Sequence, residues 1–531
     1  MKKITTLFLL LATAAGLYAQ TADDAFTLAQ ERYEGTARSM AMGNAFTALG
    51  GDLGGLGINP AASGVYRHSQ FTFTPTLTTS RSAGDYLGNR QNTRNTSLNV
   101  ANLGFVLSFD TGNYDGLMNY NFGFVYNKKN NFRSKTAVIG TTDQSSMLAS
   151  YASRLNLFDL DKGWSTDINK ESLEASNAYS TYSDFFWPAI MAWKAYGLAP
   201  YYTDSQESNY IYIASTENDN NGRLQNGGLL NQRFNSRSYG SVEEFSFNFG
   251  GNYGDFLYFG VNLNLHTVNR TIEQYYEEVA QNPSVFQDGF KSMDNSYWQR
   301  TTGAGANFKF GVILTPVAGL RLGATFTTPT WYSLTDQWDY TMNMAFNNNK
   351  TYTEETPTGS YSYRLTAPLR WSVGAAYTFW DRALLSFDYE RVDYSNTKFI
   401  ILQSMNREEE RYINDLNQEI KNNFCASHIL RVGAEVRVGR VVSLRGGYQY
   451  YSNGYGENVP MQVYCAGIGF NLGERTAIDL AWNRTSSVTD SFQLYGDYLT
   501  YDRGDAVVTT APEGLNTHGL NQVACTFSFK F

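Results

Sequence analysis

The sequence predicts an all-β protein: a 14-stranded antiparallel transmembrane β-barrel with an N-terminal hatch, or plug, in its lumen and long extracellular loops. Three observations carry this. From Ser69 onward, segments of about ten residues alternate apolar and polar side chains, as strands do with one face in lipid and one in water. The connections between those segments are alternately short and long. Ahead of them, Arg38 to Tyr66 is rich in glycine and shows neither strand alternation nor a long helical stripe, so it reads as a small folded piece that the strands enclose.

The chain opens with Lys2 and Lys3, an apolar run from Leu7, and small residues up to Ala19, which predicts a signal peptide over 1–19. No Cys follows Ala19 directly, so this is not a lipoprotein signal. The hatch is then expected over 20–68 and the barrel over 69–531. No later apolar run reaches the roughly eighteen residues a helical span needs, so a membrane can be crossed only by strands. Hydrophobics at 42% with a mean hydropathy of -0.38 suit a chain that is half lipid-facing and half wet. A net charge of -8 gives no basic footprint for nucleic acid. Cys425, Cys465 and Cys525 lie far apart and read as small strand residues, neither a disulfide framework nor a metal set.

Period-two alternation places fourteen strands near 69–80, 97–109, 119–129, 238–250, 256–269, 299–314, 319–331, 361–379, 383–398, 424–438, 441–452, 461–472, 475–487 and 519–531. Connections after the even strands are short, for example Gly439-Arg440 and Gly473-Glu474. Those after odd strands are mostly longer, and the third, about 130–237, is the longest. Short turns at one end and long loops at the other put the turns in the periplasm. In the last strand Val523, Cys525, Phe527, Phe529 and Phe531 share the lipid face. A charge in mid-bilayer costs about 2–4 kcal/mol, so charges should point inward. Arg321, Arg370, Asp388, Glu390, Arg431, Glu435 and Arg445 do, as do Lys309, Arg437 and Asp479. Their mixed signs fit a ladder that fills the lumen and fixes register, or a polar permeation path.

Within the third long loop, Phe185, Phe186, Trp187, Ile190, Met191, Trp193 and Leu198 make an apolar segment, helical after Pro188, that calls for a binding partner or for burial. Phe185, Phe186, Trp187, Met191, Trp193 and Leu198 are therefore candidate ligand contacts. Chemistry is otherwise hard to find. His68, His266, His428 and His518 are scattered without metal spacing, and there is no nucleophile elbow, Walker loop or dinucleotide fingerprint. Glu217 to Gly222 imitates the start of a calcium loop, but Gly228 stands where a bidentate Glu is required. No metal, no cofactor and no enzymatic activity are expected.

The stretch from Ala37 to Asp52, followed by Gly57-Ile-Asn59-Pro60-Ala61, resembles the N-terminal hatch of the FadL/TodX family of outer-membrane transporters for hydrophobic compounds. Gly303 to Pro316, Leu320 to Gly323 and Thr366 to Arg370 resemble the family's middle strands, and the likeness covers most of 37–531. The resemblance implies passive uptake of long-chain fatty acids or aromatic hydrocarbons across a bacterial outer membrane, by loop capture, hatch movement and lateral release through a gap in the wall. It implies hatch roles for Gly43, Asn59, Pro60 and Ala61. A gap is expected at the third strand, Asn119 to Lys129, although its alternation shows no kink. The partners implied are a hydrophobic small molecule, outer-membrane lipid and, through the strand ending at Phe531, the barrel assembly machinery. A second class, an outer-membrane scaffold or secretion-associated barrel that holds protein partners with its loops, stays open.

Overall fold

The computed structural model describes residues 21–531 except 160–162, 205, 207–208, 381, 403–405 and 456–459. The expected signal peptide lies outside the described residues. Fourteen antiparallel strands close into a barrel. They are β1 (Gln70–Tyr86), β2 (Asn89–Asp110), β3 (Leu117–Asn131, continued by Ser134–Thr142), β4 (Leu230–Tyr253), β5 (Leu257–Ala280), β6 (Phe290–Val317) and β7 (Leu320–Thr327 and Thr330–Phe346). The second half comprises β8 (Gly359–Ala367 and Arg370–Phe379), β9 (Ala383–Asp393), β10 (Ala426–Val438), β11 (Val442–Tyr451), β12 (Met461–Asn471), β13 (Thr476–Thr485, continued by Val488–Gln493) and β14 (Glu513–Lys530). Closure comes from β14 pairing with β1, from Phe529↔Phe71 up to Gly514↔Tyr86.

Outside, Phe105, Phe122, Phe247, Phe308, Phe326, Leu385, Leu444 and Val523 are all exposed, a continuous apolar band whose only sensible surroundings are lipid. Inside, the facing positions are polar, as with Asn248, Asn262 and Asn307. The parity of the predicted strands holds except within 319–331 and 361–379, where a break at Thr328-Pro329 and at Pro368-Leu369 shifts it by one residue, so the two solvents for the two faces were otherwise readable from alternation alone.

Several strands run further outward than expected. β4, β5 and β6 have 24, 24 and 28 residues. The third long loop is correspondingly shorter than 130–237: Ser134–Thr142 pairs with Leu230–Ser238, so both ends of that stretch belong to the wall.

The plug is built of short helices. α1 (Ala22–Ala29) is capped by Thr21, α2 (Ala37–Ala41) by Thr36 and α3 (Leu53–Ile58) by Asp52, each cap accepting a backbone N–H of the first turn. A 3₁₀ turn, Pro60–Val65, follows, with Asn59 as its cap. In the loops, α4 (Met147–Leu155) and α5 (Trp187–Lys194) lie between β3 and β4, and α6 (Arg407–Asn423) lies between β9 and β10.

Candidate functional site: plug, lumen and apolar chamber

The plug fits because the wall retreats where it lies. Inward-facing glycines pair directly across strands, Gly250↔Gly260↔Gly311, Gly323↔Gly374 and Gly433↔Gly447. A Cβ at Gly260 would strike the Pro60 carbonyl, at Gly311 the Asn59 side chain, at Gly323 the Thr47 carbonyl and at Gly433 the Met42 carbonyl. The result is a belt without side chains around much of the lumen, into which plug backbone packs at van der Waals distance. Sequence reading missed it. Its trace is a glycine of inward parity in one strand after another, which acquires meaning only once register is known.

The four predicted hatch residues sit at this belt. Gly43 has φ +62° with the backbone of Tyr448 and Val432 about 3.0 Å from where a Cβ would stand, so both its conformation and its space require glycine. Asn59 Nδ2 donates to the Thr47 carbonyl at 2.6 Å and to Val312 of β6 at 3.2 Å, while Oδ1 accepts from Ala61 N at 3.0 Å. Pro60 starts the 3₁₀ turn and its carbonyl accepts from Asn248 Nδ2 at 3.0 Å. Ala61 is fully buried with Tyr258 and Ile313.

The seven predicted lumenal charges lie between plug and wall, five of them in ion-pair networks. Near the periplasmic end, Arg38 of α2 lies 2.9 Å from Glu435, which also pairs with Arg445 at 2.6 Å, and Arg445 reaches Asp479 at 2.5 Å. Asp388 accepts the Thr47 N–H at 2.8 Å, and Arg321 donates to the Leu49 carbonyl. Higher up, Glu31 reaches Lys129 of β3 at 2.6 Å and Arg370 of β8 at 3.5 Å, and Glu390 holds Arg370 at 3.1 Å and Arg431 at 2.7 Å. The void among the upper set, Glu31, Lys129, Arg370, Glu390 and Arg431, is only about 40 Å³, below which a cavity of about 230 Å³ lies among Arg38, Arg321 and Glu435. Ions and water thus meet a filled, charge-paired section rather than a pore.

Above that section the lumen turns apolar. Val242, Val268, Leu334, Tyr363, Leu365 and Ile429 point inward from five different strands, and Ile413, Leu416 and Ile420 of α6 close the chamber from the side. It is occupied by α1: the Phe26 ring stands 4.9 Å from Tyr394, 5.0 Å from Phe424 and 5.2 Å from Tyr455. Asp24 of α1 is tied to Arg270 of β5 at 2.5 Å.

The six candidate contacts of the third loop fall elsewhere. Trp187, Met191 and Leu198 are buried in a loop core with Leu148, Met293 and Met342, and Phe186 and Trp193 pack on its margin. Phe185 lies edge-on to Phe186 at 5.1 Å and under the Arg154 guanidinium at 4.9 Å. They hold α4 and α5 onto the outward extensions of β6 and β7. None of the six belongs to the chamber around α1.

At the third strand, β2 and β3 pair only from Asp110↔Asn119 to Asn102↔Asn127. Beyond that point β3 bulges against β4, and its free edge is taken by the plug: Arg32 N donates to Lys129 O at 2.7 Å and Glu34 N to Lys128 O at 2.9 Å.

A closed fourteen-stranded barrel with an apolar outer band, an N-terminal plug and an apolar lumenal chamber defines the chain as a plugged outer-membrane-type barrel. The fold is that of the FadL/TodX family. Among solved structures, the Pseudomonas putida toluene transporter TodX is 13% identical with a TM-score of 0.51, over 94% of this chain and 99% of TodX. A Pseudomonas aeruginosa FadL homologue is 12% identical with a TM-score of 0.52, over 94% of this chain and 98% of that protein. No protein-family model and no curated protein matches the sequence.

Proposed function

We propose that the protein takes up hydrophobic small molecules such as long-chain fatty acids through a bacterial outer membrane, passively and without covalent chemistry. The observation that carries this reading is the apolar chamber in an otherwise polar lumen. Val242, Leu334 and Leu365 occupy positions where a water-filled channel would carry polar groups. A ligand caught by the loops enters the chamber by displacing α1, and burying its chain offsets what α1 gives up. The plug segment Arg32 to Glu34 is bonded to the free edge of β3, so plug movement uncovers the wall where the β2–β3 ladder stops. An oily molecule leaves there into lipid, which it prefers to the periplasm. The filled lumen also suits the second reading, a scaffold. Against it, the loop aromatics Tyr151, Trp187 and Tyr212 are buried in a core rather than laid out as a face for a partner.

The test is palmitate binding to the detergent-solubilised barrel by equilibrium dialysis, with Leu334→Asp/Leu365→Asp as chamber variant and Phe186→Asp/Trp193→Asp as loop variant. Saturable binding lost in the chamber variant, with both barrels folded by heat-modifiable gel shift, supports uptake. Binding that the chamber variant keeps would reject the chamber as the site, and no binding by the wild type to palmitate or toluene would favour the scaffold.

A further inference from the structure

The wall carries a second irregularity, on its outer side and away from β3. β7 is broken at Thr328-Pro329 and the next strand, β8, which pairs with it, at Pro368-Leu369. At both breaks the inward parity changes: Thr327 and then Thr330 face in on β7, Ala367 and then Arg370 on β8. Proline offers no N–H to a ladder, so neither strand can carry its pairing straight through. β9 stops at Asp393, and above it the edge of β8 has only the two-residue pairing of Leu365↔Phe399 and Thr366↔Lys398. What remains is a groove of about 1410 Å³ facing outward from the barrel.

Its floor and its rim differ in chemistry. Trp331 and Leu369 are exposed on the floor beside Trp371, which packs at 5.5 Å on Tyr389. The rim carries Arg364, Arg391, Lys398 and Lys421, and among the described residues none of the four forms an ion pair, although the lumenal cations nearby are paired. The acid at the rim, Asp393, accepts from Ser395 N at 3.2 Å and Oγ at 2.6 Å. Height fixes the setting. Arg391 is about eight residues up β9 from the periplasmic turn, roughly 20 Å at the rise of a tilted strand, against an apolar band of about 25 Å. The groove thus opens where acyl chains meet head groups in the outer leaflet.

We propose that this groove binds an anionic phospholipid of the surrounding leaflet, one whose phosphate charge no head-group cation offsets, its acyl chain on Trp331, Leu369 and Trp371 and its phosphate among the four cations. One carboxylate would leave most of that positive charge unanswered, whereas a phosphate with several acceptor oxygens matches a cluster of guanidinium and ammonium donors. The reading does not depend on what the lumen carries.

The experiment uses the full barrel in bilayers of phosphatidylcholine doped with phosphatidylglycerol, either lipid carrying brominated acyl chains. Quenching is read as the difference between wild type and Trp331→Phe/Trp371→Phe, which isolates the groove from the other tryptophans. The expected result is a preference for phosphatidylglycerol of about five-fold or more, the factor one interfacial cation contributes. It falls to about one in Arg364→Gln/Arg391→Gln/Lys398→Gln/Lys421→Gln and shrinks with added NaCl in the wild type. Lys291→Gln/Arg300→Gln, exposed cations away from the groove, should keep it. Preference retained in the quadruple variant, lost equally in the control, or unaffected by salt would overturn the proposal. So would displacement of the brominated phosphatidylglycerol by an equal amount of palmitate, which would give the groove to a fatty acid, or by millimolar inorganic phosphate, which would make it an anion site without a lipid.

Discussion

The Glu31 carboxylate of the plug lies 2.6 Å from the Lys129 ammonium on β3, and the same carboxylate reaches across to Arg370 on β8 at 3.5 Å. One acid, about one-fifth exposed, therefore ties the plug to two distant parts of the wall through cations that are themselves buried. Glu31→Gln removes both ties while Lys129 keeps Glu244 at 3.3 Å and Arg370 keeps Glu390. Removing one partner of a buried pair costs about 3–5 kcal/mol, and the surviving partners bring the expected loss to about 2–3 kcal/mol of plug docking. In planar bilayers the variant should show bursts of ion conductance where the wild type is quiet. Equal quiescence in both would mean that the ties do not hold the plug.

The glycine belt gives a sharper contrast. Gly311→Ala drives a methyl group into Asn59, whereas nothing lies within 4 Å of a Cβ at Gly446. Overpacking costs about 1–3 kcal/mol and an unopposed surface change stays within about 0.5 kcal/mol. We expect Gly311→Ala to lower the thermal midpoint and raise basal conductance, and Gly446→Ala to do neither. If the two variants melt alike, the belt is not what seats the plug.

In the loop core, burial pushes the Glu217 carboxyl up to about 7, opposed only by the Ala214 N–H it accepts at 2.9 Å. The folded loop therefore holds a proton that the unfolded loop releases near pH 4.5. Its contribution to stability is complete below pH 4.5 and is lost as pH rises towards 7, by at most about 3 kcal/mol. Hydrogen exchange in Tyr210–Ala214 and its neighbours should be slower at pH 5 than at pH 8 after correction for the intrinsic rate. Glu217→Gln should flatten that difference; an unchanged profile would place the titration elsewhere.

How much of this was readable beforehand follows from where each signal resides. All fourteen strands were legible because lipid outside and water or plug inside enforce alternation on every residue of the membrane zone, as Leu257 to His266 shows. Beyond that zone the constraint lapses. Arg270 to Ala280 of β5 carries polar groups on both faces and gives no period-two signal, although it is strand. α6 was missed for a related reason: among its described side chains only Ile413, Leu416 and Ile420 of a highly charged run are buried, a sparse stripe that reads as solvated loop. Asn59-Pro60-Ala61 pointed to a compact turn, because a cap followed by proline is a local feature, and Asn59 does cap the 3₁₀ turn Pro60–Val65. The chamber was invisible, since its apolar residues come one or two at a time from strands far apart in sequence. The loop aromatics drew attention instead because they are contiguous.

The last prediction concerns α1, which occupies the chamber a ligand would need. If α1 and ligand exclude each other, the measured affinity is the intrinsic one reduced by the fraction of molecules whose chamber is free. Weakening α1 must then strengthen binding. Phe26 is the residue to change, since its ring touches Tyr394, Phe424 and Tyr455 while the wall needs none of its atoms for pairing. Truncating a buried Phe costs about 3–5 kcal/mol in a rigid core. Part of that loss appears as a freed helix, and each 1.4 kcal/mol so transferred tightens palmitate binding about ten-fold. Phe26→Ala should therefore bind palmitate at least ten-fold more tightly, with faster proteolysis between Thr21 and Gln30 and an unchanged heat-modifiable barrel. Faster proteolysis without tighter binding would show that α1 leaves the chamber but does not compete for it, and the ligand's place would have to be sought among the loops.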